Sequence, residues 1–265
     1  MELYPYWRKQ SPNAPLFPDL EWSKPETKQQ SGKLGIIGGN KLGFAGVAES
    51  YSVATKAGVG QVRVLLPDAL RTTIPKIISD TMYAPTNPSG SLAKEAVSEM
   101  FALGDWADEI LLIGDAGRSS ETAIAYEQFI QKYPGKLVVT RDAIDLVKNS
   151  ARELIERPQT VLIASFAQLQ KIFQAVYYPK VLTFSMQLTQ LVEAVHKFTI
   201  TYPVTISVLH KDFLIIAHDG AVVTTEWNNP MAIWRGDVAS RAAAYWLWNS
   251  SKPLEATATS IVAKN

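Results

Sequence analysis

From Leu34 onward, short apolar runs alternate with longer stretches of mixed polarity. KLGIIGG reads as a buried strand, residues 45 to 56 as a helix stopped at Gly58, and QVRVLLP as a second strand, together a βαβ unit. ILLIG, KLVVT and TVLIA repeat the rhythm, with helices expected from about Ser120, around residues 142 to 155, and from about Ser165. Near the end the period changes. VTISVL, DFLIIAH and AVVTTEW are strands, and Asp219-Gly220 between the last two predicts an antiparallel hairpin. A last long helix starts near Asp237. Strands buried on both faces and separated by helices predict a three-layer α/β fold with a mostly parallel central sheet.

Residues 1–32 break this pattern. They are rich in Pro, Lys, Gln and Ser, yet carry Tyr4, Tyr6, Trp7, Phe17 and Trp22, which need a surface to pack on. They read as an N-terminal arm that lies on the main domain or on a neighbouring subunit and has no regular fold of its own, with residues 33–265 as a single α/β domain. Composition changes little in this picture. The chain has 265 residues, 47% hydrophobic and 19% charged, with a net charge of +1, so no general attraction to nucleic acid or to an anionic membrane is expected. With no cysteine, thiolate metal sites, disulfides and a cysteine nucleophile are excluded. The three histidines are too scattered for a metal cluster. No apolar stretch reaches the ~18 residues of a membrane span, and MELYPYWRKQ lacks the apolar centre of a signal peptide, so a cytoplasmic protein is expected.

Ligands of open α/β sheets sit beyond the carboxyl ends of the strands, which directs attention to the turns there. GGNKLGFAG, residues 38 to 46, lacks GxGxxG spacing and the Lys-Ser/Thr of a phosphate loop. IGDAGRSSET brings Gly114 and Gly117 to a strand-to-helix turn, with Ser119 or Ser120 as a helix cap. Before the last long helix, a loop is expected to carry Arg235, Gly236 and Asp237. Helix N-termini carry unpaired N–H groups and partial positive charge, so Gly236 could admit a phosphate, Arg235 could add donors, and Asp237 is either the helix cap or a base. Ser165 and Gln168 fit a capping box better than a ligand site. His210, Lys211 and Asp212 read as a turn, with a nucleotide contact as the alternative. His196 lies on an amphipathic helix and reads as structural.

These segments together resemble the ADP-dependent NAD(P)H-hydrate dehydratases of the ribokinase-like superfamily. The resemblance runs through IIGGNKLGFAGVAESYSVATKAGVGQVRVLLP, IGDAG, LVVTRDAIDLV and NPMAIWRGDVASRAAAYW. It implies a ribokinase-like α/β/α domain and an enzyme that dehydrates hydrated NADH or NADPH with ADP or ATP. Mg²⁺ is expected only with bound nucleotide, because no dedicated acidic cage is visible. It implies Asp237 as catalytic base and nucleotide phosphates near Gly236 and Arg235, with His210, Lys211 and Asp212 on the nucleotide side. The dinucleotide substrate would meet Gly46, Val47, Gly114, Gly117 and Ser165. The resemblance also implies a homo-oligomer, commonly a tetramer.

The departures from the family pattern fall on the nucleotide side. The family's Gly-Thr-Gly-Asp stands here as Trp234-Arg235-Gly236-Asp237, its His-Pro-Gly-Glu as Ser165-Phe166-Ala167-Gln168, and the first aspartate of its Asp-Ala-Asp-Ala-Leu as Thr140. Two further readings therefore stay open: a ribokinase-like protein that binds a nucleotide or dinucleotide without turnover, and a small-molecule kinase of the same superfamily.

Overall fold

The computed structural model describes residues 4–75 and 78–263. The strands are β1 (Trp7–Gln10), β2 (Lys33–Gly38), β3 (Gln61–Pro67), β4 (Thr81–Ala84), β5 (Glu109–Gly114), β6 (Lys136–Thr140), β7 (Thr160–Ser165), β8 (Thr205–His210), β9 (Phe213–His218) and β10 (Ala221–Glu226). The α-helices are α1 (Ala45–Ala57), α2 (Val97–Trp106), α3 (Ser120–Lys132), α4 (Asp142–Leu146), α5 (Ala151–Glu156), α6 (Phe166–Ala175), α7 (Leu188–Thr201), α8 (Pro230–Arg235), α9 (Asp237–Trp248) and α10 (Pro253–Val262).

All ten strands form one sheet in the order β1-β10-β9-β8-β7-β6-β5-β2-β3-β4. From β4 through β8 the pairing is parallel, and β9 alone runs against its two neighbours. The expected hairpin is present at β9–β10, where Asp219 and Gly220 both have positive φ, as a turn matched to strand twist requires. A second tight turn, Lys211-Asp212, joins β8 to β9.

The central strands are buried on both faces, and their side chains divide by position. In β5, Ile110 and Leu112 join the core under α2, α3, α6 and α7, while Leu111 and Ile113 join the core under α1 and α9. Ala239, Ala242, Ala243 and Ala244 are buried in that second core. Their short side chains let α9 lie close to the sheet and to α1, which places the start of α9 over the carboxyl end of β5.

The arm lies against the sheet: its residues 7 to 10 form β1, an edge strand parallel to β10. Trp7 donates Nε1–H to Thr224 Oγ1 at 2.9 Å, Gln10 donates to the Ala258 carbonyl at 2.8 Å, and Tyr6 stacks on His196 at 3.5 Å. The helix expected around residues 142 to 155 is two, because the chain passes through a 3₁₀ turn at Lys148–Ser150. The helix from Asp237 is not the last; α10 follows, started by Pro253. Among the described residues no helix is long and apolar enough to cross a membrane.

At the opposite end of the sheet from the candidate site, Glu109 is fully buried and neither carboxyl oxygen has a hydrogen-bond partner. Burial pushes its pKa well above the usual carboxylate range, opposed by Lys136 and reinforced by Asp108, while burial lowers the pKa of Lys136. A carboxyl whose folded pKa exceeds its unfolded value contributes most below the unfolded value, and that contribution is lost as pH rises through the folded one. Glu109→Gln keeps the shape and removes this proton. The variant is expected to melt higher than the parent at neutral pH and at the same temperature near about pH 4, where an ordinary glutamate titrates. Melting curves across that range check it.

Candidate functional site

The turns after β2, β5, β6 and β7 enclose a cavity of about 510 Å³. Asn40, Leu42, Gly43 and Ala45 come from the loop after β2 and the start of α1; Asp115 and Gly117 follow β5; Arg141, Asp142 and Asp145 follow β6; Gln168 belongs to the turn after β7. Trp234 of α8, 55% exposed, and Leu42, 86% exposed, line the cavity's open, solvent-facing side. The cavity therefore lies beyond the carboxyl ends of parallel strands, as expected for an open α/β sheet.

Its floor is a network of charges held by strained backbone. Asp115 and Arg141 both have positive φ, 56° and 57°, which costs non-glycine residues about 1–3 kcal/mol each. The two side chains form an ion pair, and the other Asp115 oxygen accepts the Gly46 N–H at the start of α1. An anionic side chain thus occupies the positive end of α1. A β-carbon on Gly46 would strike both Arg141 and Asp115, so glycine there makes room for the pair. Asp142 accepts the Asp115 N–H at 2.7 Å and the Ala116 N–H at 3.0 Å. Burial raises the Asp142 pKa, and these two backbone donors oppose the rise. Burial also acts to raise Asp145, but hydrogen bonds from Lys171 and Gln168, each 2.7 Å, bring its pKa below the usual value.

The expected capping box is present. Ser165 Oγ accepts the Gln168 N–H at 3.2 Å, and Gln168 Oε1 accepts the Ser165 N–H at 3.0 Å. The Gln168 amide then donates to the Arg141 carbonyl and to Asp145, so the box also braces the floor. Of the predicted substrate-side residues, Gly117 lines the cavity, Gly46 and Gly114 lie under its floor, Ser165 acts through Gln168, and the Val47 side chain is buried in the core. Asn40, Asp115, Arg141, Asp142 and Asp145 were not singled out from the sequence.

The entrance to α9 differs from the expected loop. Residues 230 to 235 are helical, with Pro230 at the first position. Gly236, at φ 91°, ends α8 and starts α9 in one left-handed step. A β-carbon on Gly236 would stand 2.6 Å from Ile113 Cδ1 and 3.1 Å from Ser50 Oγ. Arg235 is exposed. Asp237 is half-buried and is the first residue of α9, so the cap position falls to Gly236 and not to the aspartate. Burial raises its pKa; Arg241 opposes the rise and Glu49 adds to it. Asp237 lines a second cavity, of about 490 Å³, between α1 and α9, together with Glu49, Lys56, Arg241 and Tyr245. Trp234 and Asp237, three residues apart, therefore open on different cavities, with the α8–α9 corner between them.

His210, Lys211 and Asp212 are placed away from both cavities. His210 is buried, stacks on Phe166, and bonds through Nε2 to the Met186 carbonyl at 3.0 Å. Lys211 donates to the same carbonyl at 3.1 Å. Among the described residues no group of three His, Cys, Asp or Glu side chains could hold a metal ion. The floor carboxylates are each engaged, by Arg141, by backbone N–H groups or by Lys171, so Mg²⁺ would have to arrive with nucleotide phosphates and water.

A mostly parallel sheet with a late antiparallel strand, helices on both faces and a cavity over the carboxyl ends define the ribokinase-like fold. The comparisons agree. A ribokinase-like superfamily protein of Enterococcus faecalis superposes with a TM-score of 0.71 at 17% identity, covering 99% of this chain and 88% of that one. The ADP/ATP-dependent NAD(P)H-hydrate dehydratase of Bacillus subtilis, co-crystallised with ATP and Mg²⁺, superposes at 0.59 and 10% identity, covering 93% and 86%. The pyridoxal kinase of Staphylococcus aureus gives 0.52 at 13%, covering 87% and 85%. In sequence, the chain is similar to the bifunctional NAD(P)H-hydrate repair enzyme Nnr of Methanothermobacter thermautotrophicus, 26% identical over 152 residues. That match spans 55% of this chain and 29% of the relative's length. No protein-family model matches the chain.

Proposed function

We propose that the protein is a nucleotide-dependent repair enzyme, an ADP- or ATP-dependent dehydratase acting on hydrated NADH or NADPH, with Asp237 as its base. The observation that carries this reading is the state of Asp237. It opens a long helix behind a left-handed glycine that takes the cap position, lines the second cavity, and has a pKa raised by burial, which makes its carboxylate a better proton acceptor than that of an ordinary aspartate. The similarity to an NAD(P)H-hydrate repair enzyme supports the substrate class. On this reading the phosphates meet the first-turn N–H groups of α9 beside Arg235 and Gly236, and the dinucleotide enters the cavity over Gly117. Because Asp237 opens on the neighbouring cavity, α8 has to move at the Gly236 corner for base and substrate to meet.

A second reading is a ribokinase-like protein that binds such ligands without turnover. It is favoured by one observation: α8 is a hydrogen-bonded helix packed at Gly236 against Ile113 and Ser50, where a phosphate cradle needs open backbone. Incubation with hydrated NADH and ADP or ATP, following recovery of NADH absorbance, separates the two. Recovery supports the enzyme. No recovery, together with a thermal shift on adding dinucleotide, supports the binder; saturating ligand at about 100 times Kd stabilises by about 2.7 kcal/mol. Phosphate transfer to a hydroxylated metabolite would replace both with a kinase. A homo-oligomer belongs to this proposal as well, and light scattering of the purified protein tests it.

A further inference from the structure

The cavity over β2, β5 and β6 has an uneven lining. Its mouth is apolar, formed by the half-exposed Trp234 indole and the exposed Leu42 side chain. Its floor carries three carboxylates, Asp115, Asp142 and Asp145, against one guanidinium, Arg141. Arg141 is already paired with Asp115, and Asp145 with Lys171 behind it. Asp142 has no ion-pair partner among the described residues and is held by two backbone N–H groups. Arg118 also acts on Asp145, so the floor accepts hydrogen bonds, and Asp142, held by two backbone N–H groups, is the charge in it that opposes an added anion. An indole at the mouth of such a space favours a ring on which it can pack, offset or edge to face.

We propose that Trp234 is a specificity-determining residue that stacks on a ligand's ring, and that the carboxylates beneath select a ring bearing a carboxamide over the same ring bearing a carboxylic acid. This rests on the dinucleotide reading of the cavity and names the end of the ligand that the cavity holds. The amide differs from the acid by replacing two oxygens that share a negative charge with one acceptor and an N–H₂ donor, and the donor is what Asp142 can use. Phosphates of the same ligand would have to lie outside this floor.

Nicotinamide riboside and nicotinic acid riboside differ only in that group and carry no phosphate, so they serve as probes. Titration of each into the full-length protein, followed by tryptophan fluorescence and by calorimetry, is expected to show the amide binding at least tenfold more tightly, about 1.4 kcal/mol. Trp234→Phe is expected to retain binding within about threefold with a smaller fluorescence change, and Trp234→Ala to weaken it at least tenfold, roughly the weight of one aromatic stack. Trp234 is half-exposed at the mouth, so both variants should keep the parent's circular dichroism. Equal binding of amide and acid, or Trp234→Ala binding as tightly as the parent, overturns the proposal. So does the absence of any binding by the amide. The test contains neither hydrated NADH nor ADP, so tight amide-selective binding by a protein without dehydratase turnover would sustain this inference while ending the enzymatic one.

Discussion

Asp237→Asn is expected to lower the rate of NADH recovery from its hydrate by about 10²- to 10⁴-fold, the usual contribution of a positioned base. Asparagine fills the same volume and cannot take a proton at neutral pH. The cap position of α9 is Gly236 and not Asp237, so the substitution leaves the cap in place and the melting temperature should move little. Its pKa is raised by burial, so the base becomes ionised at a higher pH than an ordinary aspartate. The parent's rate should therefore fall on the acid side at a pH above that at which an ordinary aspartate titrates, and that limb should vanish with the variant. An Asn variant that turns over at the parent's rate removes Asp237 from the chemistry.

The central sheet was legible because parallel strands covered on both faces read as unbroken apolar runs; β2, β3, β5, β6 and β7 all appear where those runs lie. β1 was not, because Trp7-Arg8-Lys9-Gln10 pairs on one side only and carries the charged pattern of an edge. The entrance to α9 is helical where a loop is expected from Arg235-Gly236-Asp237. A local signal pointed the other way: Pro230 at a first helical position, followed by Met231, Ala232 and Ile233. In the site, glycines at strand ends were readable one at a time. The network that joins them was not, because Asp115 lies 69 positions from Gly46 and 26 from Arg141. Only the strand order brings those three turns side by side. The run Arg141-Asp142-Ala143-Ile144-Asp145, directly after a buried strand, was the one sequence signal for that charged floor.

Gly114→Ala should destabilise the protein by roughly 2–5 kcal/mol, with two separable causes. Gly114 has φ 85°, and a β-carbon in that region costs about 1–2 kcal/mol. The same β-carbon would collide with Asp142 Oδ1 and crowd the Ala143 N–H. Asp142 Oδ1 could yield only by releasing the backbone N–H of Asp115, and a buried donor left without a partner costs about 1–3 kcal/mol. Gly117 supplies the control. Its φ is 70°, but the nearest atom to a β-carbon there is Ser91 Oγ at 3.6 Å, so Gly117→Ala carries the backbone cost alone. Urea midpoints of the two variants, at unchanged slope, should differ by the Asp142 contribution. If they coincide, Asp142 is not what holds the turn after β5 in place, and the floor of the cavity rests on the Arg141–Asp115 pair instead.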